Sequence, residues 1–499
     1  MSPVGRRFVI YLPTLIGPCM YDTLIIGRDV SSLIAALSCV REGRKTVLVM
    51  EGDPEMAYRE AGYAFPFDPR PLSGLADRQI FCRLIRDMLP AGDDISPNGI
   101  LNPAFQVILP GHRVDLFPNQ ERLINDLIRE FPGQEREINR FYRAVSKAGR
   151  LVERWIAEDE TGRPGVVGGI LRRLARLPAA IAGRSALIIR GNGKDDAFRR
   201  VVEAQLNFLS HLEMDGDPFP LSAAYLLSLP MRGLFYPRGG MITWMSRLRR
   251  AFTEHGGVLM DGCSVIRIET EPEVTVDVEC EGSSSTLRGR KLIVSAQWEK
   301  LELLLPGRKV LPGSNRRFAS IRPVAYPFCL HMGVHEEGLP ESMASYVVVV
   351  RDGTGSVTNR DLVFLQTSLP GETDCAPEGR RAISATVYLA DSPLRLNDQE
   401  LKDAAMGIID SLEEFLPFLR DNIDYLRVDQ SIFLSRRYQE MVNRKYRTRR
   451  RPFFGMSILS PKTRIPNVLL TGGILRAGLG FEGEIIAGMD AAFRAEQRS

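Results

Sequence analysis

The sequence predicts an α/β protein in which a Rossmann-like unit is interleaved with a part made of a mixed sheet and helices, and three stretches predict it. Tyr21 to Gly52 reads strand, glycine turn, helix, strand. The apolar run Thr23 to Ile26 stops at Gly27, Leu33, Ala36, Leu37 and Val40 recur at helical spacing until Gly43, and Thr46 to Met50 runs into Glu51. In mid-chain, Tyr236-Pro237-Arg238-Gly239-Gly240-Met241 opens a helix. Toward the end, Asn467 to Gly473 is a strand running into glycine, and Gly478 to Ala492 a glycine-rich turn running into a helix. A glycine turn before a helix lets backbone N–H groups and the positive end of the helix dipole approach an anion.

The first unit carries the most chemistry. In a nucleotide-binding βαβ unit an acid about 20 residues past the glycine turn accepts ribose hydroxyls, and Gly27 and Glu51 stand at those two ends. A G-x-G-x-x-G fingerprint from Gly27 would place glycine at 29 and 32, where this chain has Asp29 and Ser32. Ser32 is small enough for close packing of helix on strand. The Asp29 carboxylate either caps the helix begun near Val30 or faces the pyrophosphate and repels it; a short polar side chain at the turn before a helix favours capping.

Between these blocks the pattern alternates. Gly62 to Leu75 reads as loop and short strand, Asp77 to Leu89 as helix, and Phe105 to Leu109 with Arg113 to Leu116 as a hairpin around Pro110-Gly111-His112. Asn119 caps a helix over 121–131, Pro132-Gly133 ends it, and a longer helix covers 134–158. After the mid-chain glycines come a helix over 242–255, then strand-like runs to Met260 and over 264–270, 274–279 and 287–294, ending in Ser295-Ala296. Runs over 324–334, 345–351, 362–367 and 383–389 point to one mixed sheet, followed by a helix over 398–415. His331 and His335 fall in such a strand, where four residues span roughly 13 Å, too far for one shared ion.

Composition excludes several classes. The chain has 499 residues, 44% hydrophobic and 25% charged, which suits a soluble globular protein, and its net charge of +4 with no nucleic-acid motif argues against a nucleic-acid partner. Seven scattered cysteines (19, 39, 82, 263, 280, 329, 375) without C-x-x-C read as buried thiols of an intracellular protein, not as a disulfide framework or zinc site. Residues 1–19 read as an extension: Arg6 and Arg7 precede a short apolar run holding two prolines and no cleavage signal, with Met20 an alternative start. The stretch 161–193 has no acid, carries Arg163, Arg172, Arg173, Arg176, Arg184 and Arg190 among apolar residues, and suits either an anionic membrane surface or a solvated helix packed on its own domain. The basic run Arg444 to Arg451 reads as a solvated loop.

Taken in this order, the three blocks resemble the phytoene desaturase and carotenoid isomerase group of FAD-dependent oxidoreductases, relatives of the amine oxidases. The resemblance spans about 20–492, and YPRGGM is its most specific piece. It implies FAD held by a discontinuous domain (20–60, 231–310, 455–499) and a hydrophobic polyene or isoprenoid held by a second (61–230, 311–454), with 161–193 as a membrane-associating part. On that resemblance Gly27 and Ser32 flank the pyrophosphate, Glu51 binds the adenosine ribose and Val265 offers backbone to adenine. Gly239 and Gly240 belong to the mid-chain cofactor block, and Gly472, Gly480 and Gly483 bring the last helix to the isoalloxazine. This chain departs from the pattern at Asp29, at Ser32, at Asp53 to Arg59 where a G-G-R segment is usual, and at Gly473 where an acid is usual. Two other readings stay open: an amine oxidase or protoporphyrinogen oxidase relative, and a binding protein that keeps the fold without the flavin.

Overall fold

The computed structural model describes residues 20–52, 57–76, 79–89, 99–158, 189, 196–213, 221–237, 239–295, 304–305, 321–351, 355–438, 444–448 and 459–496. The 1–19 extension, the basic stretch 161–193 apart from Ile189, Ala296, and Arg449 to Arg451 lie outside them. Among the described residues no helix is long and apolar enough to cross a membrane.

The first sheet is built from three distant parts of the chain. Strand β1 (Met20–Ile26) has β2 (Thr46–Glu51) on one side and β11 (Ser283–Ser295) on the other, with β9 (Val258–Glu269) beyond β2 and β18 (Val468–Thr471) beyond β11. All four pairings are parallel, in register at Leu24↔Val47, Val47↔Val258, Ile26↔Val294 and Val294↔Leu470. β10 (Val274–Cys280) joins β9 and β11 as an antiparallel meander. Leu24, Ile25, Val47, Leu48, Val468 and Leu470 are buried, the uniform apolarity of strands covered on both faces. Helix α1 (Val30–Arg41) lies against the C-terminal helix α10 (Gly480–Glu496) so closely that a Cβ on Gly488 would stand 2.4 Å from the Ser31 carbonyl oxygen.

The second sheet runs in the order β16 (Ile423–Leu426), β12 (Ile321–His335), β15 (Arg380–Leu389), β14 (Leu362–Thr367), β13 (Tyr346–Val350), β6 (Phe105–Leu109), β7 (His112–Leu116), and β17 (Lys445–Thr448) also pairs with β12. Only β13 with β6 is parallel. Two small antiparallel pairs, the hairpin of β3 (Ala57–Glu60) with β4 (Tyr63–Pro66) and the distant pairing of β5 (Leu72–Ser73) with β8 (Leu234–Phe235), stand apart from the two sheets. Helices α8 (Asp398–Glu413) and α9 (Val428–Arg437) supply Leu401, Ile408, Leu412 and Ile432 to a core with Phe328, Leu330, Val347 and Leu365. Helices α2 (Ile80–Met88), α3 (Gln120–Glu130), α4 (Glu135–Glu158), α5 (Ala197–Leu209), α6 (Leu221–Arg232) and α7 (Gly240–Glu254) complete the described set. Asn119 caps α3 by accepting from the Arg122 amide at 2.9 Å.

Three expectations are corrected. Cys263 and Cys280 form a disulfide, because they face each other across the β9–β10 register; Cys39, Cys82, Cys329 and Cys375 are buried thiols. The runs to Met260 and over 264–270 are one continuous strand, Gly262 continuing β9 in spite of a φ of 70°. Helices α5, α6 and α9 and strand β17 were not expected from the sequence.

Candidate functional site

β2 and β11 leave β1 on opposite sides, so a crevice opens at the C-terminal ends of β1 and β11, the place where open α/β sheets take ligands. Gly27 makes the turn there with φ 153°, and a Cβ would stand 2.2 Å from Ser32 Oγ and 2.7 Å from Ser295 Cβ. Asp29 is the N-cap of α1: its Oδ1 accepts from the Ser32 amide (2.8 Å), Ser31 Oγ (3.0 Å) and Ser32 Oγ (2.5 Å). Its Oδ2 accepts from Ser295 Oγ at 2.7 Å, so the carboxylate also reaches across to the end of β11. Asp29 thus caps α1 with one oxygen and holds Ser295 with the other.

At the far end of the crevice Glu51 and Val265 meet each other. The Val265 amide donates to Glu51 Oε1 at 3.1 Å, and Arg28 Nη1 donates to the Glu51 carbonyl at 2.8 Å. The disulfide adjoins them, since the Gly52 amide donates to the Cys263 carbonyl at 3.1 Å. The residues placed by resemblance on ribose and adenine are thus side by side. Gly239 and Gly240, at φ 74° and 71°, turn the chain into α7, and the Gly239 amide donates to Glu372 Oε1 at 2.7 Å. Glu372 Oε2 accepts from Tyr236 (2.8 Å) and from the Leu369 amide (2.9 Å).

The C-terminal glycines lie against the chain itself. A Cβ at Gly480 would stand 2.2 Å from the Leu209 carbonyl oxygen, one at Gly483 2.4 Å from the Arg476 carbonyl oxygen, and one at Gly473 3.2 Å from Glu484 Cγ. Gly472 makes the turn out of β18 with φ 116°. Glu484, 1% exposed, then anchors an ion cluster that the motifs do not reveal. Arg70 binds it through both terminal nitrogens (Nη2 to Oε2 2.9 Å), His211 Nε2 lies 2.8 Å from Oε1, and Arg70 Nε lies 2.7 Å from Asp68 Oδ2. Burial would raise the Glu484 carboxyl, but Arg70 and His211 hold it at about 2. Burial pushes Asp68 up to about 6 in spite of Arg70, and burial lowers His211.

Lys445, also buried, closes the cluster's far side. It donates to the carbonyls of Asn207 (2.5 Å) and Ser210 (2.6 Å), and its Nζ is 5.6 Å from the Phe364 ring centre and 5.1 Å from that of Tyr388. Burial pushes its ammonium down to about 7. Two carbonyl acceptors at the C-terminal end of α5 and two ring faces all favour the cation, so Lys445 is a cap that ties α5 to β17. His331 and His335 are not joined: His331 Nδ1 is 3.1 Å from Ser384 Oγ, while His335 is 3.9 Å from Asp424. Among the described residues there is no group that could hold a metal ion.

The ends of the crevice carry groups that could hold FAD. The Glu51 carboxylate is a hydrogen-bonding group of the right kind for an adenosine, while the Val265 amide already donates to that carboxylate. Buried atoms without a hydrogen-bond partner among the described residues stand where β18 and α10 border the site: Thr471 Oγ1 at the end of β18, and Glu482 Oε1 in the first turn of α10. Trp244 Nε1 is likewise unpartnered, and its ring packs on Phe481 of that turn at 5.5 Å. Between these groups, at the N-terminus of α1, stands Asp29.

No protein-family profile matches the chain, and no curated protein sequence does. Solved structures do. An oxidoreductase from Methanosarcina mazei superposes with a TM-score of 0.56 at 13% identity, covering 94% of this chain and 99% of that one. Cyclohexylamine oxidase from Brevibacterium oxydans gives 0.56 at 17% identity, covering 96% and 99%. Putrescine oxidase bound to putrescine gives 0.55 at 14% identity, covering 95% and 98%. At such identities the likeness is one of fold, and it extends over nearly the whole of each chain.

Proposed function

We propose that this chain is an FAD-dependent oxidoreductase that holds the cofactor in the β1–β11 crevice and takes an apolar substrate, of polyene or isoprenoid type, against the large sheet. The observation that carries the reading is the β1–α1–β2 unit, with glycine alone fitting the turn at 27 and Glu51 at the end of β2 beside the Val265 amide. The fold shared with oxidoreductases along 94–96% of the chain supports it. On this reading 20–60, 231–310 and 455–499 form the cofactor part, and 61–230 and 311–454 the substrate part. FAD, when bound, supplies a two-electron acceptor. The chain's own share is to hold the adenosine with Glu51, to aim the first turn of α10 at the ring, and to keep water out with the aromatic layer of Tyr58, Tyr63, Phe65 and Phe67.

Purified protein is expected to carry non-covalent FAD, seen in its absorbance, and Glu51→Ala to weaken FAD by about 1–3 kcal/mol, the worth of hydrogen bonds to a charged group. Colourless protein that takes up no added FAD would sink the reading in favour of a flavin-free binding protein. An amine substrate is the second reading. Two of the similar structures are amine oxidases, which favours it. Oxygen uptake with polyenes or with primary amines decides between them.

An apolar substrate partitions into lipid, and we assign the acid-free stretch 161–193 to a membrane surface. Vesicles containing phosphatidylserine are expected to bind the protein and to release it as salt rises, because surface charges are screened within about 10 Å at 0.1 M. Binding that survives deletion of 161–193 would place the attachment elsewhere.

A further inference from the structure

We propose that Asp29 is an internal competitor for the cofactor's diphosphate, so that a dinucleotide enters this crevice only by displacing a carboxylate of the chain itself. The inference rests on the reading that the crevice takes FAD. Capping α1 requires one acceptor for the Ser32 amide, yet the Asp29 carboxylate collects four donors, the last of them Ser295 Oγ on the opposite wall. Those donors, with the helix dipole behind them, are what a diphosphate would use. An independent sign of a missing ligand lies next to them. Thr471 is in register with Ser295 on the adjoining strand, is fully buried, and its hydroxyl has no partner among the described residues.

A carboxylate and a diphosphate cannot share these donors, and like charges at contact repel. Asp29 therefore costs affinity for ligands that carry phosphate and is indifferent to adenosine alone. The discriminating variant is Asp29→Asn, because asparagine caps a helix as well as aspartate does but brings no charge.

The full chain, stripped of any bound flavin, is titrated with FAD, ADP and adenosine, for the wild type and for Asp29→Asn, with melting temperatures in parallel. Asp29→Asn is expected to tighten FAD and ADP by ten-fold or more, to leave adenosine within two-fold, and to melt within about 2 °C of the wild type. Equal affinity of both proteins for FAD would overturn the competitor and leave the FAD reading standing. Tightened ADP with no FAD binding would uphold the competitor and remove the FAD reading. Absence of ADP and FAD binding in both proteins would overturn both, as would an equal gain for adenosine overturn the assignment to the phosphates.

Discussion

Arg70→Ala is expected to lower the melting temperature by roughly 3–5 °C, from a loss of about 3–5 kcal/mol. Arg70 touches both Asp68 and Glu484, and Glu484 is 1% exposed. Removing it leaves two carboxylates in a poorly hydrated place without their guanidinium, and burial already lowers the proton affinity of the His211 imidazole beside Glu484. The triple change Asp68→Asn, Arg70→Met, Glu484→Gln removes every charge of the trio and should recover most of the loss. A fall of under 2 °C for Arg70→Ala would mean that the cluster is effectively hydrated. The same groups set the acid response. Glu484, held at about 2 against an ordinary 4.5, contributes stability above pH 4.5 that is lost as pH falls toward 2. Asp68, pushed up from 3.8 to about 6, acts in the opposite sense: the folded state takes up its proton first, so stability rises as pH falls from 6 to 3.8. Each is worth on the order of 3 kcal/mol at about 1.4 kcal/mol per pKa unit. Glu484→Gln should remove the loss, and Asp68→Asn the gain.

The crevice was legible in the sequence because its signals are local. A glycine that ends an apolar run, an acid at the end of the next strand and a helical period between them lie within the 32 residues from Tyr21 to Gly52. The ion cluster was not legible, because its members come from separate places: Asp68 and Arg70 before β5, His211 after α5, Lys445 on β17 and Glu484 on α10. Nothing in their spacing announces that they meet. The one available signal was Glu482 and Glu484 within an otherwise glycine-rich and apolar stretch, where an acid must find a buried partner. The disulfide depended in the same way on a strand register, and α6 was hidden because it is buried all round and contains Pro230, so it has neither a polar face nor an uninterrupted pattern. What Asp29 does was half legible: its capping followed from residue type and place, whereas the bond to Ser295 required β11 to lie beside β1.

Gly480→Ala is expected to destabilise the protein by about 2–6 kcal/mol, the sum of a backbone strain of about 1–3 and an overpacking of about 1–3. Gly480 has φ 58° and ψ −138°, a region that side chains avoid, and the added Cβ would stand 2.2 Å from the carbonyl oxygen of Leu209. That oxygen belongs to the last residue of α5 and has little room to retreat: the neighbouring carbonyls of Asn207 and Ser210 are held by Lys445, and the His211 amide donates to the Ala477 carbonyl at 3.2 Å. Relief must come from α10, and moving its first turn shifts Glu484 off Arg70 and His211. Two other glycines separate the contributions. Gly43 has φ 74° with nothing within 4 Å of the added Cβ, so Gly43→Ala carries strain alone, about 1–2 kcal/mol. Gly407, inside α8, is equally open and has ordinary helical backbone, so Gly407→Ala should stabilise by about 0.5–1 kcal/mol. Melting temperatures in the order Gly407→Ala above wild type, Gly43→Ala slightly below and Gly480→Ala far below would confirm that the turn into α10 is fixed by backbone contact. If Gly480→Ala fell no further than Gly43→Ala, the α5 terminus would be free to yield, and the close packing at Gly480 would not be what positions Glu484.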